Sequence, residues 1–201
     1  MHKRDAIGLI AGSALLVGAT SLISACSQDT PKFRNIDITG ADYAKDFHLA
    51  DQNGEVRTLR DFRGKVVVMF FGYTQCPDAC PTTMAELAEA KKALGQDGDR
   101  LQVLFVTVDP ERDTPQVLKA YMANFDPTFL ALRPTPEQLP ELAKAYKVYY
   151  KKAPGTTPTS YTIDHSAGSY VYDTKGNVRL YYRYGSGVAA LVSDIRLLLQ
   201  P

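Results

Sequence analysis

The chain has 201 residues, with 23 Lys and Arg against 22 Asp and Glu for a net charge of +1. That length suits one globular domain plus an extension, and nothing in the balance of charge points to nucleic acid or to a polybasic membrane surface. Three cysteines are too few for a disulfide scaffold and predict one pair plus one cysteine with another task.

The odd cysteine is Cys26. Ahead of it runs the mostly basic Met1-His2-Lys3-Arg4-Asp5, then Ala6 to Ala25 without a charge, the layout of a secretory signal. Ile23-Ser24-Ala25-Cys26 resembles a bacterial lipobox, in which cleavage leaves the cysteine as the lipidated N-terminus. The alternative is an uncleaved transmembrane anchor, since a span needs about 20 apolar residues; the stretch is weakly hydrophobic for that, being rich in Gly, Ser, Ala and Thr. Either way the domain is expected outside the cytoplasm, tethered to the cell membrane and facing the periplasm. Ser27 after the cysteine leaves open which membrane holds the lipid. Residues 1–26 thus read as a signal and lipoprotein segment, 27–32 as a polar tether and 33–201 as the folded domain.

Phe47 to Leu49, the turn Asp51-Gln52-Asn53-Gly54 and Val56 to Leu59 read as a hairpin with an Asn-Gly turn. His48 lies within it, and a lone histidine there is more often solvated or packed than a ligand. Val66 to Phe71 is a continuous apolar run, predicting a strand buried on both faces. It leads to a turn at Gly72 and then to Cys76 and Cys80, each followed by proline. Proline biases the preceding residue toward extended backbone and is welcome at the first helical position. The helix is therefore expected to start at Pro81, with Cys80 at the N-cap and 76–80 as a tight loop. Both sulfurs would then lie near the positive end of a helix dipole, which favours thiolate. Three intervening residues let the sulfurs meet in a disulfide or around one metal ion. Two unrelated buried thiols are the bland alternative, which the sequence strand, Gly, C-P-D-x-C-P and helix makes the poorer one.

The crossover helix, Thr82 to Leu94, ends near Gly95 and Gly98, and Leu101 to Val108 is a second buried strand, giving a parallel βαβ unit. The charged loop Asp109 to Pro115 follows at the same edge of the sheet as the cysteines. Thr114-Pro115 is a helix start and Asp109-Pro110 a turn, so a structural role and a partner-docking role are equally served. Helices are expected at about 115–124 and 136–146, separated by a stretch containing Phe129 to Leu132. Tyr146 to Lys152 reads as a short extended segment and Ala153 to Tyr161 as a surface loop. Gly168 to Tyr172 and Val178 to Tyr182 flank a turn at 174–177 as an antiparallel hairpin, and Val188 to Leu199 is a closing helix. No internal repeat is present. The order is that of an α/β, thioredoxin-like fold with a central mixed sheet, an N-terminal hairpin and insertions.

Three stretches in order, FGYTQCPDACPTTMAEL after the first buried strand, VTVDPERDTPQVLKAY (106–121) and DHSAGSYVYD (164–173), resemble the Sco/SenC copper-chaperone family over roughly residues 33–200. His165, on its own a surface-loop histidine, becomes by that resemblance a third site residue opposite Cys76 and Cys80. Two thiolates and an imidazole are a soft set that suits Cu(I) and, with a fourth position, holds Cu(II). Zinc accepts Cys₂His but closes a structural site with a fourth protein ligand, for which only Asp78 or Asp164 is at hand. The resemblance favours copper.

The resemblance implies a metallochaperone that takes up copper through Cys76, Cys80 and His165. It would deliver the metal to the binuclear copper site of the copper-bearing subunit of cytochrome c oxidase, with other extracytoplasmic copper or thiol-redox proteins as further partners. The alternative is an enzyme, a thiol–disulfide oxidoreductase using Cys76 and Cys80 as a redox pair. Against it stand the C-x₃-C spacing, in place of the C-x₂-C of thioredoxins, and the missing proline before the last hairpin, where 163–170 reads IDHSAGSY. A peroxiredoxin-like peroxidase is third, because Thr74 precedes Cys76 by two residues where that family's threonine precedes its cysteine by three.

Overall fold

The computed structural model describes residues 32–155, 157 and 160–200. Cys26, the signal and lipoprotein segment and all of the tether but Lys32 lie outside the described residues. Among the described residues no helix is long and apolar enough to cross a membrane.

In chain order the elements are β1 (Ile36–Asp37), β2 (Leu49–Asp51), β3 (Val56–Arg57), β4 (Val66–Gly72), α1 (Ala79–Ala93), β5 (Leu101–Thr107) and α2 (Pro115–Ala123). They continue with β6 (Leu130–Arg133), α3 (Leu139–Ala145), β7 (Tyr150–Pro154), β8 (Tyr161–His165), β9 (Ser169–Tyr172), β10 (Val178–Tyr182) and α4 (Val188–Leu198). Eight strands form one sheet in the order β1-β10-β9-β4-β5-β6-β2-β3, and β7 and β8 form a separate pair.

The two continuous apolar runs occupy the centre. Every residue of β4 and of β5 is buried, and the strands pair in parallel from Val66↔Leu101 to Gly72↔Thr107, as a βαβ crossover requires. Gln102, the polar residue within β5, is satisfied by donating to the Thr128 carbonyl at 2.9 Å. On its other edge β4 pairs antiparallel with β9, Phe70 opposite Ser169. The carboxyl end of β4 therefore receives two segments at once: the cysteine loop that follows it, and the chain from His165 into β9. Alternation along β4 separates its faces. Phe70 lies beside Phe105 and the His165 ring, while Phe71 meets Tyr146 in a tyrosine cluster with Tyr170 and Tyr43.

The N-terminal hairpin forms, with Gly54 at φ +86° in its turn. It joins the main sheet through β2 and β6. His48 is exposed on it. The amide N–H groups of Arg34 and Asn35 both donate to the buried Asp194 of α4 at 2.9 Å, which fixes the chain where it enters the domain. This mixed sheet with helices is a thioredoxin-like fold.

Three expectations are corrected. Helix α1 begins at Ala79, with Asp78 at the N-cap, so Cys80 is helical rather than extended. The first bond of the helix ladder is Thr82 N–H to the Asp78 carbonyl, at 3.2 Å. Pro81 stands just ahead of it, where no intrahelical acceptor exists, so proline marks the first turn without marking its first residue. Helix α3 starts at Leu139 rather than 136, because Thr135 and Gln138 bond each other's backbone N–H with their side chains and hold a turn there. The stretch from Ala153 onward is not wholly loop, since β7 and β8 pair with Tyr150 opposite His165 and Pro154 opposite Tyr161.

Candidate metal centre

Strand β4 ends in glycine for a reason other than a turn. Gly72 still pairs with Thr107 as the last residue of the strand. A Cβ built there would stand 2.6 Å from the Cys80 Sγ and 2.8 Å from the Phe70 ring. The space a side chain would need is taken by the sulfur. Helix α1 can bring Cys80 against the sheet only because residue 72 has none.

Cys80, in the first turn of α1, is fully buried. Cys76 lies in the loop before it, half-buried, and both are free thiols. The His165 Nε2 lies 3.4 Å from the Cys80 Sγ, and donor atoms of Cys76, Cys80 and His165 lie within 4.8 Å of one another. The other ring nitrogen of His165, Nδ1, is 2.9 Å from the Ser166 carbonyl. A carbonyl can only accept, so Nδ1 carries the proton and Nε2 turns its lone pair to the sulfurs, the arrangement that orients a metal-ligating imidazole. Phe70 and Tyr73 meet the ring edge-on, with centroids 6.0 and 5.8 Å away. Among the described residues Asp78 and Asp164 do not join this group, so neither carboxylate offers the fourth ligand that a structural zinc would want.

The two thiols are not equivalent, which corrects the expectation that the helix start favours both thiolates. Cys76 is held down to about 3, first by a hydrogen bond from Cys80 and then by the backbone N–H groups of Asp78 and Cys80, against the opposing effect of burial. Cys80 is pushed up, first because it donates its proton to Cys76 and then by burial. The pair carries one negative charge, and the amides of the helix start settle it on Cys76. A soft cation meets a thiolate at the rim and, inside, a thiol that loses its proton on binding.

The charged loop after β5 is structural to this centre. The buried Asp113 accepts from the Thr74 hydroxyl and the Thr107 hydroxyl, both at 2.6 Å, and from the Thr74 N–H at 3.2 Å. It thereby pins the cysteine loop to the end of β5, and burial pushes its carboxyl up. Thr114 caps α2 by accepting from the Val117 N–H at 3.3 Å. Phe105 and, from α2, Tyr121 extend the aromatic wall begun by Phe70. Gly72, Tyr73, Asp113 and Tyr121 escape a reading of the sequence; only the position of the loop beside the cysteines points to any of them.

A thioredoxin-like domain with two cysteines and one histidine converging at the end of its central strand is the class of protein that the fold and the site define. The sequence profile of the SCO1/SenC family matches residues 37–200, and the chain belongs to that family. The SCO2-like protein of Rickettsia felis is 33% identical over 180 residues, covering 87% of this chain and 88% of that protein. The mitochondrial SCO2 homolog of Bos taurus is 35% identical over 153 residues; these are 75% of this chain, which spans only 58% of the bovine protein. Among solved structures, Bradyrhizobium japonicum ScoI with copper bound superposes with a TM-score of 0.69 at 37% identity, covering 76% of this chain and 97% of that one.

Two results are expected. Alkylation of the reduced protein by iodoacetamide should modify Cys76 first. Its rate should stay nearly level from pH 8 down to about 5, whereas an ordinary thiol loses about tenfold per pH unit below its pKa near 8.5. Peptide mass spectrometry reads both the site and the rate, and Cys80→Ala, which removes the principal donor, should restore a steep pH dependence. Gly72→Ala should displace the Cys80 sulfur and weaken Cu(I) binding by about tenfold or more, as expected for a ligand pushed off its geometry, measured by competition with a chromogenic chelator.

Proposed function

We propose that this protein is an extracytoplasmic, membrane-tethered copper chaperone. It binds copper through Cys76, Cys80 and His165 and hands it to the binuclear copper site of the copper-bearing subunit of cytochrome c oxidase. The observation that carries the reading is the convergence of three soft donors within 4.8 Å, with an imidazole whose outer nitrogen is already fixed by Ser166. Two thiolates and an imidazole suit Cu(I) and leave room for a further ligand on Cu(II). Family membership and the copper-bound ScoI relative support copper over zinc. Because Cys76 lies at the rim while Cys80 is enclosed, a partner's thiolates reach the metal from one side and displace ligands in turn. Copper is the cargo in this scheme. The lipobox-like Ile23-Ser24-Ala25-Cys26 supports a lipid anchor at Cys26, with the domain facing the periplasm.

A second reading, thiol–disulfide exchange through Cys76 and Cys80, is favoured by one observation: a half-buried free thiol, held down by its partner's hydrogen bond, stands beside a buried one that is pushed up, the arrangement of an attacking and a resolving cysteine. Reducing the recipient's cysteines and loading them with copper are compatible tasks.

His165 separates the two readings. In full-length protein, His165→Ala should lose stable copper binding and, in cells, oxidase assembly, most visibly when copper is scarce, while any insulin-disulfide reductase activity is unchanged. Copper at full stoichiometry together with normal assembly in that variant would remove the chaperone reading and leave the enzyme. For the tether, mass spectrometry of the mature protein should find an acylated Cys26 as the N-terminus, and Cys26→Ser should block both lipid attachment and cleavage. An intact Met1 to Ala25 segment on the wild-type protein would instead favour a transmembrane anchor.

A further inference from the structure

Strands β7 and β8 form a sheet of their own. No main-chain ladder joins them to the eight-stranded sheet, so side chains decide where His165 stands. Alternation along β8 turns Tyr161, Ile163 and His165 to the inner face and leaves Thr162 and Asp164 exposed. Each inner residue has its own attachment. His165 meets Cys80, and the Ile163 N–H donates to the Tyr73 hydroxyl at 3.2 Å.

Tyr161, at the far end, is held most fully. Its carbonyl accepts from Arg112 Nη1 at 2.9 Å, and its hydroxyl donates to Asp109 Oδ1 at 2.8 Å. Its ring carries the Arg112 guanidinium 3.6 Å from the centroid. The same guanidinium donates to the Gln75 Oε1 at 3.1 Å, one residue before Cys76, and its Nε pairs with the buried Asp109. One planar fork thus joins the cysteine loop, the loop after β5 and the strand that ends in His165. Among the described residues, Arg112 makes no hydrogen bond to Cys76, Cys80 or His165.

We propose that Arg112, anchored by Asp109, is a positioning residue that holds the β7–β8 hairpin closed against the cysteine loop and thereby sets the reach of His165 to the sulfurs. The proposal rests on the copper reading for its effect on metal binding; the placement of the hairpin does not depend on metal. Tyr161 and His165 are four residue steps apart, about 13 Å along a strand. A tilt of about 5° over that length moves the imidazole by about 1 Å, several times the ±0.2 Å tolerance of a metal–ligand bond. Lysine cannot replace the fork, because a point charge beside Asp109 cannot also bond Gln75 and the Tyr161 carbonyl in one plane.

The test compares wild type, Arg112→Ala, Arg112→Lys, His165→Ala and the double variant Arg112→Ala/His165→Ala as full-length proteins in detergent. In the metal-free, reduced state, amide hydrogen exchange over 161–165 should quicken by about tenfold or more in both Arg112 variants while β4 and β5 keep their protection. Cu(I) affinity should fall by about 10- to 100-fold in both, and the nitrogen coupling in the Cu(II) electron paramagnetic resonance spectrum should fade toward that of His165→Ala. In the His165→Ala background, adding Arg112→Ala should change affinity no further, since the arginine acts through the histidine. Unchanged exchange over 161–165, or an equal loss of affinity with and without His165, would overturn the proposal. Should Arg112→Ala fail to fold, Arg112→Lys carries the same measurements. If the wild type takes up no copper, the copper-chaperone reading fails, and the exchange arm still decides the role of Arg112.

Discussion

Gly72 ends a strand buried on both faces, and the Cys80 sulfur occupies the space that its missing side chain leaves. Everything else at the centre is arranged around that contact. With the sulfur seated on the sheet, α1 begins two residues earlier than its proline implies, and Cys76 is left at the helix entrance. The chain entering β9 is then the one that can bring a third donor to the same end of β4. A parallel βαβ unit places reactive groups at the carboxyl ends of its strands. Here a steric vacancy at one glycine fixes which atom arrives there.

The centre owes its chemistry to inequality between two cysteines separated by three residues. One is fully buried against Gly72; the other receives the amides of the helix start. Burial disfavours charge on the first and hydrogen bonds favour it on the second. A single negative charge therefore sits at the rim, where a cation or a partner arrives. Two fully ionised thiolates at this separation would repel each other in the absence of metal, and sharing one proton avoids that.

Polar contacts around the aromatic wall give the site its rigidity. Asp113 ties the cysteine loop to β5 through Thr74 and Thr107, and the Arg112–Asp109–Tyr161 group ties β8 to both loops. The Asp113 bonds and the Arg112–Asp109 pair are wholly or partly shielded from water, which strengthens them over surface counterparts and makes them costly to leave half-made, whereas the Arg112–Gln75 bond is exposed. The motif 106–121 thus serves the cysteines by holding what surrounds them, which gives the loop a structural role.

By itself the sequence determined the central strands, the parallel unit, the Asn-Gly hairpin, the Thr114-Pro115 helix start and the family, because each is written in neighbouring residues. A continuous apolar run, a turn dipeptide or a cap acts over a few positions, and the three family motifs are local strings. Only the tertiary structure decided that Gly72 is a socket rather than a turn, that Cys80 is helical and protonated, that His165 ends a strand, and that Arg112 joins three segments. Each of these depends on residues far apart in the chain: Cys80 meets His165 across 85 positions, and Arg112 meets Tyr161 across 49. Burial and hydrogen bonding at such contacts set both position and charge, and no local pattern encodes them.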